Sequence, residues 1–211
     1  MTLDTNPPLD LLRALDFSSG QLLGSSNQGE VRRFQIDGHD LAIKAPKGRG
    51  LAWYGRRAGL RREYHAYQRV RGVPGFPTCH GFFDQRWLVL EYVVGTPFRE
   101  SALADREQFF ARLLEIIQAM HARGVAHGDL KRKDNLLVDP SGHPVVMDLG
   151  AATLRQSGWH PLHHRLFEFM RQTDLNAWIK LKYAGYEGVS ARDSRYLKRS
   201  LLERALTRLR Q

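Results

Sequence analysis

Cysteine is all but missing from this chain: among 211 residues there is one, Cys79. One thiol closes no internal disulfide, so the fold must rest on a packed core, and a reducing compartment is expected. Cys79 itself reads as a small buried hydrophobe. Long apolar runs are missing too, and none approaches the ~20 residues that cross a bilayer. The opening Met1-Thr2-Leu3-Asp4-Thr5-Asn6-Pro7-Pro8 shows neither the basic start nor the apolar stretch of a secretory leader. These absences predict a cytoplasmic protein. Acid is scarce beside base, with 22 Asp and Glu against 32 Lys and Arg and a formal charge of +10. Such a surplus favours polyanionic partners, among them nucleotide phosphates, acidic lipid headgroups and phosphorylated sugars. Nucleic acid is not expected, because the basic tail carries no aromatic beyond Tyr196 on which bases would stack. No repeat or low-complexity linker interrupts the chain. Its length and 42% apolar content suit one domain, or two small lobes around a cleft.

The basic residues are clustered. Lys47, Arg49, Arg56, Arg57, Arg61 and Arg62 form one group; Arg192, Arg195, Lys198, Arg199, Arg204, Arg208 and Arg210 form the other. Each group reads either as a solvated helix face or as a peripheral contact with a membrane. The Trp53-Tyr54 pair inside the first cluster is expected to pack on its own helix. Residues 7–15 suggest a short helical strap. Alternation predicts strands over 21–24, 30–36 and 40–44, with Gly38 turning between the last two. The basic stretch then leads into a helix over 60–70, ended by Gly72 and Pro74, and two strands follow near 78–84 and 86–92. After Gly95-Thr96-Pro97 the period changes. Phe109, Phe110, Leu113, Leu114, Ile116, Ile117 and Met120 recur at helical spacing and predict a buried helix that stops at Gly124. From about residue 160 onward the pattern is helical, with Leu197, Leu201, Leu202, Leu206 and Leu209 as an apolar stripe. Strands first and helices second predict an α+β chain with its chemistry at the join.

Four segments carry that chemistry. In Gly24-Ser25-Ser26-Asn27-Gln28-Gly29-Glu30-Val31, the small residues Gly24, Ser26 and Gly29 would let backbone amides close over phosphates, and Val31 would cover a base. Any Gly/Ser hairpin shows the same composition. Lys44 ends an apolar strand, where a lysine is most often an edge charge in water, but Glu63 lies nineteen residues on, so the pair can meet in a cleft, with Ala42 beneath an adenine. Leu88 to Gly95 reads as a buried strand running into a connector. There Leu90 would bound the pocket, and the backbones of Glu91 and Val93 would meet an adenine edge; a plain core strand is the other reading. The most specific segment is His127-Gly128-Asp129-Leu130-Lys131-Arg132-Lys133-Asp134-Asn135-Leu136-Leu137-Val138, followed by Val145-Val146-Met147 and Asp148-Leu149-Gly150. Asp129 is placed to deprotonate or orient a hydroxyl and Lys131 to neutralise a phosphoryl group. Asn135 and Asp148 would supply oxygens for Mg2+. His160, His163 and His164 have no acidic or Cys partner at ligand spacing, so they do not predict a metal site.

Taken in order, these residues resemble the protein-kinase-like superfamily, at close to its spacing, from about residue 20 to 150; Leu137 and Gly150 take part in the match. The resemblance implies a bilobal α+β fold. A strap over 1–16, an antiparallel-sheet lobe over 17–94 and a reduced helical lobe over 95–211 are expected, all in one domain. It further implies Mg2+ and ATP, with Lys44, Glu63, Asp129 and Lys131 in the catalytic set and Leu137 against the nucleotide. Asp174 would anchor the catalytic loop from a helix, where an exposed capping Asp is the plainer alternative. Three departures are present. Gly128 stands where most regulated protein kinases carry arginine; one extra residue separates Asp129 from Asn135, which leaves Asp134 as a rival; and 61 residues follow Gly150 without an Ala-Pro-Glu signal. These departures make the chain similar to the compact bacterial lipopolysaccharide-core (Kdo/heptose) kinases and, more distantly, to RIO-type kinases. The expected reaction is transfer of the γ-phosphoryl of Mg-ATP to a sugar hydroxyl of a lipopolysaccharide-type glycolipid, at the inner face of the inner membrane. The alternatives are a small serine/threonine protein kinase, with a protein acceptor, and a catalytically silent regulatory module.

Overall fold

The computed structural model describes residues 12, 15–25 and 29–198. Five strands form an antiparallel sheet: β1 (Gln21–Ser25), β2 (Gly29–Ile36), β3 (His39–Pro46), β4 (Cys79–Phe83) and β5 (Trp87–Glu91), in the order β1-β2-β3-β5-β4. Asp37 and Gly38, with φ of 48° and 78°, make the two-residue turn that pairs Ile36 with His39. Positive φ at both positions is what a hairpin of right-twisted strands requires. Helix α1 (Gly50–Arg69) crosses from β3 to β4. It begins ten residues before the helix predicted over 60–70, so the first basic cluster lies largely on it. Gly50, Gly55 and Gly59 disfavour helix locally, and packing of the C-terminal half, through Glu63, Ala66 and Tyr67, carries the glycine-rich half along.

Period-2 alternation sorts the sheet's side chains. Leu41, Ile43 and Ala45 of β3 join Trp87 and Val89 of β5 and Phe34 of β2 on one face, covered by Leu12, Leu15 and Phe17. Leu88 and Leu90 of β5 point the other way, against Ala66 and Tyr67 of α1 and Val70 at its end, and on to Met120, Val125 and Leu149. Both faces of β5 are buried, which is why it reads as a continuous apolar run. The strand ends at Glu91; the Tyr92 N–H still bonds to the Asp40 carbonyl opposite it on β3 at 2.8 Å, and the connector follows from there.

The second half is built on α2 (Arg106–Ala122) and α3 (Pro161–Tyr183), with a four-residue α4 (Ala191–Ser194). Asp105 caps α2 by accepting from the Gln108 N–H at 2.8 Å, and Gly124, at φ 72°, follows its end. Phe109, Phe110, Leu113 and Ile117 of α2 pack on Trp178, Ile179 and Leu181 of α3. The Trp178 indole also donates to the Phe110 carbonyl at 2.8 Å. Two small sheets complete this half: β7 (Val125–Ala126) paired with β10 (Thr153–Leu154), and β6 (Thr96–Pro97), β8 (Leu136–Val138) and β9 (Pro144–Val146) in the order β6-β8-β9. The Val146 N–H donates to the Gly75 carbonyl at 2.8 Å, which joins the halves behind the cleft. Ser26, the strap apart from Leu12 and Leu15, and the leucine stripe and basic residues beyond Lys198 lie outside the described residues.

Candidate active site

Alternation along β3 turns Lys44, like Ala42, away from the strap and toward α1. There its Nζ lies 2.5 Å from Oε1 of Glu63, which is 3% exposed, and 3.1 Å from Oδ1 of Asp148. Asp148 is left-handed (φ 60°), which folds its carboxylate back to accept from the Gly150 N–H at 3.2 Å. Its own N–H donates to the Tyr67 hydroxyl at 3.2 Å. Tyr67 lies one turn beyond Glu63 on the same face of α1, so a single helix face holds both the lysine and the aspartate turn. Burial works against the Lys44 ammonium, but Glu63, Tyr67 and Asp148 outweigh it and lift the group well above its ordinary range, so it stays charged. Burial likewise disfavours the Asp148 anion, and Lys44 overrides it, holding the carboxyl below its ordinary value.

The loop after β7 is suspended from α3. Asp174, fully buried, accepts from the N–H groups of His127 (2.8 Å) and Gly128 (2.9 Å) and pairs with Nε2 of His121 at 2.9 Å. This is a buried anchor and not an exposed cap. The His127 ring bridges the loop to the strand that delivers Asp148. Nδ1 accepts from the Asp129 N–H at 3.3 Å, so Nε2 is the protonated nitrogen and donates to the Met147 carbonyl at 2.9 Å. Asn135 is buried; its Nδ2 donates to the Asp129 carbonyl at 3.1 Å, and its carbonyl accepts from the Met147 N–H at 2.8 Å. Asp134 turns outward to Arg99, at 3.3 Å. Asp129 is partly exposed, with Arg132 Nε 3.8 Å from its Oδ2, and Lys131 is exposed on the loop.

A cavity of about 320 Å³ opens between the first hairpin and α1, walled by Gly29, Val31, Lys44, Glu63, Asp148 and Gly150. A Cβ at Gly29 would stand 2.4 Å from the Ala45 carbonyl oxygen, so only glycine allows this approach of β2 to β3. Gly24 sits across from Val31 on the exposed β1 and does not wall the cavity. Ala42 and Leu90 face each other in register, both buried, and Leu137 is half-buried beneath the connector, where a Cβ on Gly95 would lie 3.4 Å from its own. The Glu91 N–H is taken by the Thr78 carbonyl at 2.8 Å, whereas the Val93 backbone makes no hydrogen bond among the described residues. Reading the sequence missed Tyr67 and His121. Helical spacing from Glu63 would have pointed to Tyr67, but a buried helix tyrosine most often only packs. For His121 no local signal exists, since its partner lies 53 residues away.

A sequence model of the protein kinase domain matches residues 17–184. Among curated proteins, the putative CBL-interacting protein kinase 13 of Oryza sativa subsp. japonica is 33% identical over 159 residues, covering 70% of this chain and 30% of that protein. CBL-interacting protein kinase 25 of the same plant is 32% identical over 167 residues, with shares of 71% and 32%. The serine/threonine-protein kinase chk1 of Schizosaccharomyces pombe is 38% identical over 76 residues, with shares of 33% and 15%. The match spans about a third of the length of the two plant relatives. All three are named as protein kinases, and none is a lipopolysaccharide kinase.

Proposed function

This chain belongs to the protein kinase domain family, and on that premise we propose that it transfers the γ-phosphoryl of ATP to a serine or threonine hydroxyl of a protein. The observation that carries the reading is the joining of Lys44, Glu63 and Asp148 in one ionic cluster beside a cavity under the glycine-bearing hairpin. In this reading the charged Lys44, held by Glu63, binds nucleotide phosphates, and the Val93 backbone meets the adenine edge between Ala42, Leu90 and Leu137. The Asp129 carboxylate takes the proton of the acceptor hydroxyl while its oxygen bonds to the γ-phosphorus; the bond from that phosphorus to the β–γ bridging oxygen breaks, and ADP leaves. Lys131 offsets the charge on the transferring group.

The residues present fit Mg2+, which binds one or two carboxylates together with phosphates and water. Asp148 offers an ionised, half-exposed carboxylate. Asn135 has spent its Nδ2 on the loop, so its Oδ1 is the atom left for a cation. When bound, the ion would screen the phosphate charge.

A second reading, transfer to a sugar hydroxyl of a lipopolysaccharide-type glycolipid, is favoured by one feature. A Cβ at Gly128 (φ 78°) would meet Met170 Cε at 2.6 Å and the Ala151 carbonyl at 3.0 Å, so no arginine fits where regulated protein kinases carry one. Magnesium-dependent ATP turnover decides between them, measured with a basic protein acceptor, with lipopolysaccharide core and with neither, beside Asp129→Asn. Asp129-dependent labelling of the protein supports the first reading. Stimulation only by the glycolipid replaces it with the second, and tight nucleotide binding without transfer to any acceptor sinks both.

A further inference from the structure

Helix α3 has two apolar faces. Phe167, Asp174, Ala177, Trp178 and Leu181 are buried against the core. Roughly a third of the way round the helix, at 3.6 residues per turn, Leu162, Leu166 and Phe169 form a second stripe facing outward at 79%, 49% and 55% exposure. Trp159, 89% exposed just before the helix, extends it. Isolated exposed apolar residues are ordinary, but four large ones in file are not. In the chain they follow β10 (Thr153–Leu154) and occupy the start of α3.

Charge says what covers them. Over residues 159–171 the basic side chains are Arg165 and Arg171 with His160, His163 and His164, and the one acid, Glu168, is already paired to Arg171 at 2.8 Å. Next to the stripe a groove of about 690 Å³ runs between α1 and β10, with Leu166 on its rim; Arg62, His65, Arg69 and His163 line it, and no carboxylate does. Packing two copies of this chain through the stripe would bring Arg165 and the groove cations near their own images, so self-association is disfavoured. Side chains that stand out as far as Trp159 and Leu162 also present knobs rather than a groove, and a fluid surface accepts knobs without shape complementarity.

We propose that this face docks on an anionic phospholipid surface, with Trp159, Leu162, Leu166 and Phe169 entering the headgroup–acyl boundary and Arg165 and the groove cations facing lipid phosphates. Outward apolar residues flanked by base are what interfacial binding requires. The site shares only Arg62 with the first basic cluster legible in the sequence, and it is independent of which hydroxyl the cleft phosphorylates, since it holds none of the residues assigned to transfer.

The test is flotation of the full chain with vesicles of phosphatidylcholine alone, or of phosphatidylcholine mixed with phosphatidylglycerol, while tryptophan emission is recorded. Floating with the anionic vesicles only, with a blue shift that disappears in Trp159→Ser, is the expected result. The Leu162→Ser/Leu166→Ser variant should lose at least about tenfold in vesicle affinity at unchanged ATP turnover, because both residues are solvent-facing and their removal spares the core. Arg165→Glu should weaken binding and reduce its sensitivity to salt. Undiminished flotation of the serine variants would overturn the proposal and move membrane contact elsewhere. Flotation with neither vesicle would overturn it as well. So would concentration-dependent dimerisation lost in the serine variants, since the stripe would then be covered by a second copy.

Discussion

Asp129 and Asn135 occupy one loop and are asked for different chemistry, so their variants should separate. Asp129→Asn keeps size and hydrogen-bonding capacity but cannot take a proton. Transfer should fall by about 10²–10⁴-fold with nucleotide affinity intact, measured by initial rates and by titration of a fluorescent nucleotide. Asn135→Ala should raise the magnesium concentration needed for half-maximal turnover, and Asp134→Ala should leave it unchanged, because Asp134 is turned out to Arg99. The reverse pattern would hand the ligand role to Asp134. Cys79 belongs to the same scale: burial pushes its thiol up to about 11, so at pH 8 it should resist a disulfide reagent until the chain is unfolded. The pairing of Lys44 with Glu63 was legible because strand and helix periodicities each mark one residue of a cleft. The choice between Asn135 and Asp134 was not, since adjacent residues in a turn point apart only once its backbone is defined.

Among the elements, α3 is the support of the loop, and one atom pair shows it. Asp174→Asn leaves a single acceptor oxygen for what two carboxylate oxygens now receive from His127, Gly128 and His121. A loss of about 2–3 kcal/mol in unfolding free energy is expected, with a fall in turnover, read from urea midpoints and rates. Helix α1 responds the other way. A Cβ at Gly55 would meet nothing within 4 Å, so Gly55→Ala should stabilise the protein by about 0.5–1 kcal/mol by removing a helix-interior glycine. That glycine-rich half was absent from the helix expected over 60–70, because propensity is local and the stabilising contacts of α1 lie on its far half. The buried helix α2 was legible from its apolar period over Phe109 to Met120 and its stop at Gly124, whereas its start at Arg106, capped by Asp105, was not marked.

At the scale of the whole molecule, the cleft joins the halves, and ligand binding should stabilise both together. Saturating Mg-ATP at about a hundredfold over its Kd should add about 2.7 kcal/mol and raise the melting temperature of the chain, an increase that Asp148→Ala abolishes. The contribution of the Asp148–Lys44 pair to folding should be flat through neutral pH. The folded-state value lies below the ordinary 3.8, so the ionic contribution is complete above that pH and is lost only as pH falls through the lowered value. Calorimetric scans across an acid series, with and without nucleotide, measure it. From sequence alone came the α+β order, the strands and the buried helix, and the residue types of the cleft, because periodicity, turn chemistry and motif spacing are properties of neighbours along the chain. Tertiary structure alone decided that Tyr67 holds the Asp148 turn, that the expected Asp174 anchor is buried and joined by His121, and that Trp159 and three apolar side chains of α3 stay uncovered. Those contacts join residues tens of positions apart, and which face of a helix remains in water depends on what has packed against the rest of it.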